Sequence, residues 1–138
     1  MLYTSSVDGP SKHDYEALAS FRKSLRRFLR FTEQTAREEG VTPQQHQVLL
    51  AVMGQEGRDW ASVSEIRDAL QLEHNAAVGL VDRCQAAGLV VRSHHAEDKR
   101  VVMVTLTERG QERLAAISMR NLSELRSAEA LRAALDRL

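Results

Sequence analysis

Residues 88–110 read Gly88-Leu-Val-Val-Arg-Ser-His-His-Ala-Glu-Asp-Lys-Arg-Val-Val-Met-Val-Thr-Leu-Thr-Glu-Arg-Gly110. Two short apolar runs, Leu89–Val91 and Val101–Leu106, flank a polar, charged tip, which is the pattern of a β-hairpin. Helical periodicity ends at Gly88 and resumes after Thr107. Lys99 and Arg100 lie near the tip, where a cation can meet a phosphate backbone.

Upstream of the hairpin lie two short helical patterns. Ser64 reads as a cap for a helix over Glu65–Leu70, with Ile66, Ala69 and Leu70 inward. A turn, Gln71-Leu72-Glu73, leads to a helix from His74 to Ala87 with Ala77, Leu80, Val81 and Cys84 as its buried stripe. Helix, short turn, helix and hairpin form the order of a winged helix-turn-helix. Trp60-Ala61-Ser62 reads as a brief strand. Before it, Thr42-Pro43 opens a helix with Val48, Leu49, Val52 and Met53 on its apolar face.

At the chain ends, residues 1–12 are polar and read as a flexible arm. From His13 to Glu39, Leu18, Phe21, Leu25, Phe28, Leu29 and Thr32 recur at helical spacing. After the hairpin a helix runs from Thr107 to about Met119. A second stretch, Asn121–Leu138, carries Leu122, Leu125, Leu131, Leu135 and Leu138. The terminal helices, 13–40 and 108–138, are too amphipathic to bury their apolar residues alone and read as a dimerisation region. Covering one monomer's core is the plainer alternative. The expected fold is mainly α with a small β-hairpin (α+β). In it a winged helix-turn-helix over 41–107 joins these helices in one compact domain.

Composition narrows the function classes. The chain has 138 residues with a formal net charge of +0, so a nucleic-acid surface must come from local clusters of Lys and Arg. A single cysteine excludes an intrachain disulfide. No stretch approaches a membrane span, and Met1 to Lys12 lacks the pattern of a secretory signal, so a cytoplasmic location is expected. No glycine-rich phosphate loop, metal-ligand cluster or nucleophile with its base is apparent. The expectation is no enzyme, no cofactor and no metal site.

Several motifs resemble the MarR family of bacterial transcription regulators. Asp98-Lys99-Arg100 followed by Val104-Thr105-Leu106-Thr107-Glu108-Arg109-Gly110 is similar to the family's wing signature. Leu80-Val81-Asp82-Arg83 and Gly88-Leu89-Val90 are similar to the end of its recognition helix and the exit from it. The resemblance implies a homodimer on a palindromic double-stranded operator. Each recognition helix would enter a major groove and each wing a minor groove. It also implies regulation by a small ligand held between the DNA-binding and dimerisation parts, or by thiol oxidation. Two stretches depart from the family. His74-Asn75-Ala76-Ala77-Val78-Gly79 carries few base-reading side chains, and Ser93-His94-His95-Ala96 replaces a proline-containing run.

Individual residues follow from these readings. Arg100 is the leading DNA contact, with Lys99 beside it, and Asp98 holds the wing's geometry. His74 and Asn75 sit where side chains reach base edges, although Asn75 can equally serve as a cap. Ser64 can give its hydroxyl and amide to a phosphate or simply cap. Arg83 and Arg92 are candidate phosphate contacts, and Arg83 can instead pair with Asp82 or wing carboxylates. His94, with His95, would add charge to the wing when protonated. Arg22, Arg26 and Arg30 are candidates to hold a small anionic or aromatic effector, such as an aromatic carboxylate. A solvated face is the plainer alternative. Cys84, on an inward stripe, reads as a buried structural thiol. A winged-helix protein-interaction module without specific DNA binding is the alternative to a repressor released by a small molecule.

Overall fold

Side-chain caps set where most of the helices begin. Ser11, Thr42 and Ser62 each accept a hydrogen bond from the backbone N–H three residues on. Asp14, Gln45 and Glu65 reach back to the cap's own N–H. These reciprocal pairs satisfy donors that the first helical turn leaves open. They open α1 (Lys12–Glu38), α2 (Pro43–Met53) and α3 (Val63–Leu70). Thr107 caps α5 (Glu108–Ser127) by accepting from the Gly110 N–H. The remaining elements are β1 (Trp60–Ala61), α4 (His74–Ala86), β2 (Val90–His94), β3 (Val102–Leu106) and α6 (Glu129–Asp136). This computed structural model describes residues 9–137.

The cap of α3 corrects one expectation. Ser62, not Ser64, closes the box, because only Ser62 stands three residues before Glu65. Ser64 lies exposed inside the first turn. The expected arm over 1–12 also shortens. Residues 1–8 lie outside the described part, but Ser11 and Lys12 already belong to the start of α1.

The sheet has three antiparallel strands in the order β1-β3-β2. The hairpin register runs from Val90↔Leu106 to His94↔Val102, so His94 belongs to the strand and His95 to the tip. Trp60 and Ala61 pair with Thr105 and Val104 on the other edge of β3. The strand thus adds a third member to what the periodicity shows as a hairpin.

Around this sheet α2, α3 and α4 close one core. Val48, Leu49 and Val52 of α2 meet Ile66 of α3 and Leu80, Val81 and Cys84 of α4. Leu89, Val90 and Val104 complete it from the sheet, and Leu114 and Ile117 from α5. Burying a side chain of this size contributes about 1.5–3 kcal/mol. Met53 and Ala69, expected to face inward, are exposed. The core closes on the 48-49-52 stripe of α2 and on Ile66, and leaves both outside it.

Gly110 enables the closest junction. Its N–H donates to Thr107 Oγ1 at 3.0 Å, while that hydroxyl donates to the Gly88 carbonyl at 2.6 Å. A Cβ on Gly110 would stand 2.1 Å from the Leu89 carbonyl oxygen. The Thr-x-x-Gly spacing is therefore what lets the start of α5 press against the exit from α4.

The terminal helices pack together, with Leu131 and Ala134 of α6 buried and α6 lying along α1. α5 runs on to Ser127, past the end expected near Met119, because no glycine or proline interrupts it there. The chain turns at Ala128 instead. Leu18, Leu29, Met119, Leu122, Leu125 and Leu135 stay exposed, Met119 at 71%. Leu138 lies outside the described residues. Among the described residues, no helix is long and apolar enough to cross a membrane.

Candidate nucleic-acid interface

α4 presents its N-terminal residues His74, Asn75 and Ala76 to solvent and turns Ala77, Leu80, Val81 and Cys84 inward. Glu73 is the N-cap residue, and it forms no side-chain cap hydrogen bond. Asn75 is therefore not a cap, and its amide is available to a base edge. Arg83 is exposed, and a Cβ at Gly79 would sit 3.5 Å from its Nη1. The guanidinium thus lies back over Gly79, one turn towards the helix start. Gly79, weak as a helix former, leaves the surface that this arginine covers.

Arg92 sits differently from Arg83. Its Nη2 donates to Asp82 Oδ1 at 2.7 Å and its Nη1 to Gln85 Oε1 at 2.8 Å. Both partners lie on α4, so the side chain ties β2 to the helix. Asp82 is thereby engaged by Arg92 and not by Arg83.

The wing tip is a hydrogen-bonded turn. Asp98 Oδ1 accepts from the backbone N–H and the Nε of Arg100 at 3.1 and 3.0 Å, and Oδ2 accepts from Nη2 at 3.3 Å. The side-chain bond from Arg100 holds the Asp98 carboxyl below the usual carboxylate range. The Arg100 side chain is nevertheless 91% exposed, because Asp98 grips only one edge of it. Lys99 is exposed beside it.

The two wing histidines have opposite roles. His94 Nδ1 lies 2.8 Å from the Lys99 carbonyl and donates to it. His95 Nδ1 accepts from the N–H groups of Glu97 and Asp98, at 3.1 and 3.2 Å. A proton on that nitrogen would displace both bonds.

Trp60 escaped the sequence reading as a wing residue. Its ring lies 5.6 Å from that of His95, and the Arg58 guanidinium lies 4.1 Å from its centroid. Arg58 also pairs with Glu65 of α3. The tip therefore leans on β1 and, through Arg58, on the first helix of the helix-turn-helix. Only the β1–β3 pairing brings Trp60 to the wing, so spacing along the chain gives no sign of it.

A second concavity lies away from this face. A cavity of about 610 Å³ is lined by residues of α1, α2 and α5, among them Phe28, His46, Leu50, Asn121, Leu122 and Leu125. His46 is 6% exposed, and burial pushes its pKa below the usual histidine range. It lies three residues before Leu49, on the inward stripe, which is the sign that its burial was legible. Glu33 is the only formally charged residue of this wall. Arg22, Arg26 and Arg30 line an adjoining groove and not this cavity. Cys84 is buried as expected, and burial raises its thiol pKa to about 11. Among the described residues, no three His, Cys, Asp or Glu side chains gather as a metal site.

The comparisons agree with this architecture. Residues 39–101 match the model of the MarR family. The HTH-type transcriptional repressor MdtR of Bacillus subtilis is 36% identical over 104 residues. That alignment covers 70% of this chain and 65% of the relative, so it spans slightly less than two thirds of MdtR. A crystal structure of a MarR family transcription regulator superposes with a TM-score of 0.68 at 28% identity, covering 81% of this chain and 72% of that one. The structure of an S. aureus MepR mutant bound to an oligodeoxyribonucleotide gives a TM-score of 0.63 at 22% identity, covering 81% and 78%. The helix-turn-helix with its wing, the Asp98-Lys99-Arg100 tip and these matches together make the chain similar to the MarR family over its winged helix-turn-helix, with the fold of the family's solved structures.

Proposed function

We propose that this chain is a dimeric DNA-binding repressor that acts in the cytoplasm and is released by a small molecule. The observation that carries the reading is the exposed wing tip, with Arg100 and Lys99 open to solvent, together with the exposed start of α4. That arrangement suits a helix in the major groove and an arginine in the adjacent minor groove. His74 and Asn75 would contact bases, while Arg83, His94 and the α3 residue Ser64 would meet phosphates. The DNA-bound MepR neighbour has the same fold.

Dimerisation is supported by the exposed Leu18, Met119 and Leu135 on the terminal helices. Isolated exposed apolar residues are ordinary, but a set on packed terminal helices marks an interface. Two copies then suit a palindromic operator. The effector would occupy the cavity between α1, α2 and α5, whose volume falls in the range of small-molecule sites.

The test is binding to the DNA upstream of the chain's own gene at rising salt. A dimer making several phosphate contacts loses affinity steeply as log salt rises. No footprint at any salt, together with a stable complex with another protein, would leave the protein-interaction module instead.

A further inference from the structure

The effector cavity has a cationic neighbour. A groove of about 350 Å³ runs along α1, lined by Arg22, Leu25, Arg26, Leu29, Arg30 and Glu33. Leu29 and Glu33 also belong to the wall of the larger cavity, so the two spaces adjoin. One is mainly apolar and the other carries three guanidinium groups.

The three arginines stand four residues apart on one face of α1, a ladder spanning about 12 Å. All are exposed, and none makes an ion pair with a carboxylate among the described residues. Like charges at this spacing repel weakly, so an anion seated on the ladder would relieve that repulsion. Glu33 supplies one negative charge against three positive ones. The larger cavity offers the reverse: Phe28, Leu50, Leu122 and Leu125, a neutral His46, and no cation.

We infer that the paired spaces take an amphipathic ligand, with an acyl or aryl body in the apolar cavity and a phosphate-bearing head on Arg22, Arg26 and Arg30. Guanidinium forks match phosphate oxygens bidentately, and a head with two negative charges balances the ladder after Glu33 is counted. A small aromatic carboxylate seated wholly in the cavity would meet no cation and would face Glu33. This inference rests on the effector cavity proposed above and adds the chemistry of what fills it.

The experiment uses the whole chain and four probes below their micelle concentrations: decyl phosphate, decanoate, decanol and inorganic phosphate. Calorimetry measures binding, and release of the upstream DNA is followed in parallel. Decyl phosphate is expected to bind about tenfold tighter than decanoate, and tighter still than decanol. Inorganic phosphate alone should bind weakly. Arg26→Gln with Arg30→Gln should lower the affinity for decyl phosphate about tenfold and leave decanol unchanged. Both arginines are exposed, so the fold should survive, and a thermal melt checks this. The salt slope of DNA binding should also stay unchanged.

Leu50→Trp with Leu122→Trp should fill the cavity and weaken both alkyl probes. Equal affinities for phosphate and carboxylate, or an arginine variant that binds decyl phosphate as before, would overturn the inference while leaving the cavity as an effector site. A salt slope reduced by about 0.9 per arginine would assign the ladder to DNA and also overturn it. If no alkyl probe binds, the effector cavity itself is rejected.

Discussion

Arg92 of β2 holds Asp82 of α4 with a 2.7 Å hydrogen bond, so the wing and the helix expected to read DNA bases are tied by one ion pair. The same arginine donates to Gln85 one turn further along. Arg92 thereby links the two elements proposed to face DNA, and it pairs with a carboxylate on that side of α4.

Arg92→Ala and Asp82→Ala should therefore weaken DNA binding in the same direction, each about two- to fivefold, as expected for an exposed pair worth up to about 1 kcal/mol. Their effects should not add in a double-mutant cycle. Salt titration of each variant separates this role from a phosphate contact. Were Arg92 on a phosphate, its loss would reduce the salt slope by about 0.9 and Asp82→Ala would tighten binding.

Arg100 projects from a tip that Asp98 shapes. Arg100→Ala should cost about tenfold in operator affinity and flatten the salt slope, because a cation near the phosphates is lost. Asp98→Ala keeps that cation but releases the turn, so it should cost less and leave the slope alone. Fluorescence anisotropy at several salt concentrations distinguishes the two variants.

Gly110→Ala should be among the most damaging single changes, because its Cβ would overlap the Leu89 carbonyl at 2.1 Å. Overpacking of this kind costs about 1–3 kcal/mol. Gly57 offers a control: its φ is +73 but nothing lies within 4 Å, so Gly57→Ala should cost only about 1 kcal/mol of backbone strain. Urea unfolding of both variants would show the order, and equal losses would refute the close approach.

His46 links stability to pH. Burial lowers its pKa in the folded chain, whereas the unfolded chain takes up the proton at about pH 6.5. The unfolded state therefore binds more protons as the medium acidifies. The stability contributed is complete above about pH 6.5 and is lost as the pH falls towards the folded value. Tm should drop between about pH 7 and pH 5, and His46→Gln should flatten that drop.

Cys84 should be inert. With its thiol pKa raised to about 11 and its side chain in the core, it should react with thiol reagents only when the chain unfolds. Peroxide should leave DNA binding unchanged, and release of DNA by peroxide without unfolding would contradict the buried thiol.

Local patterns carried much of the fold. The alternation of residues 88–110, the Gly88 stop, the Gln71-Leu72-Glu73 turn and the buried stripe of α4 were legible because each depends on neighbours within a few residues. The wing signature was legible for the same reason. What failed locally was finer. Ser64 reads as a cap until Ser62 is seen to have Glu65 in range, and α5 extends past the end expected near Met119.

The sequence by itself determined the order of helices and strands and the cation-bearing tip, because short-range periodicity, capping and turn chemistry are written along the chain. Only the tertiary structure decided who meets whom. It took Arg92 out of the free cations, set Trp60 against His95, buried His46 in a cavity wall and placed the α1 arginines beside that cavity instead of within it. Those relationships join residues far apart in the chain, and side-chain charge and burial acquire their meaning only when the packing brings them together.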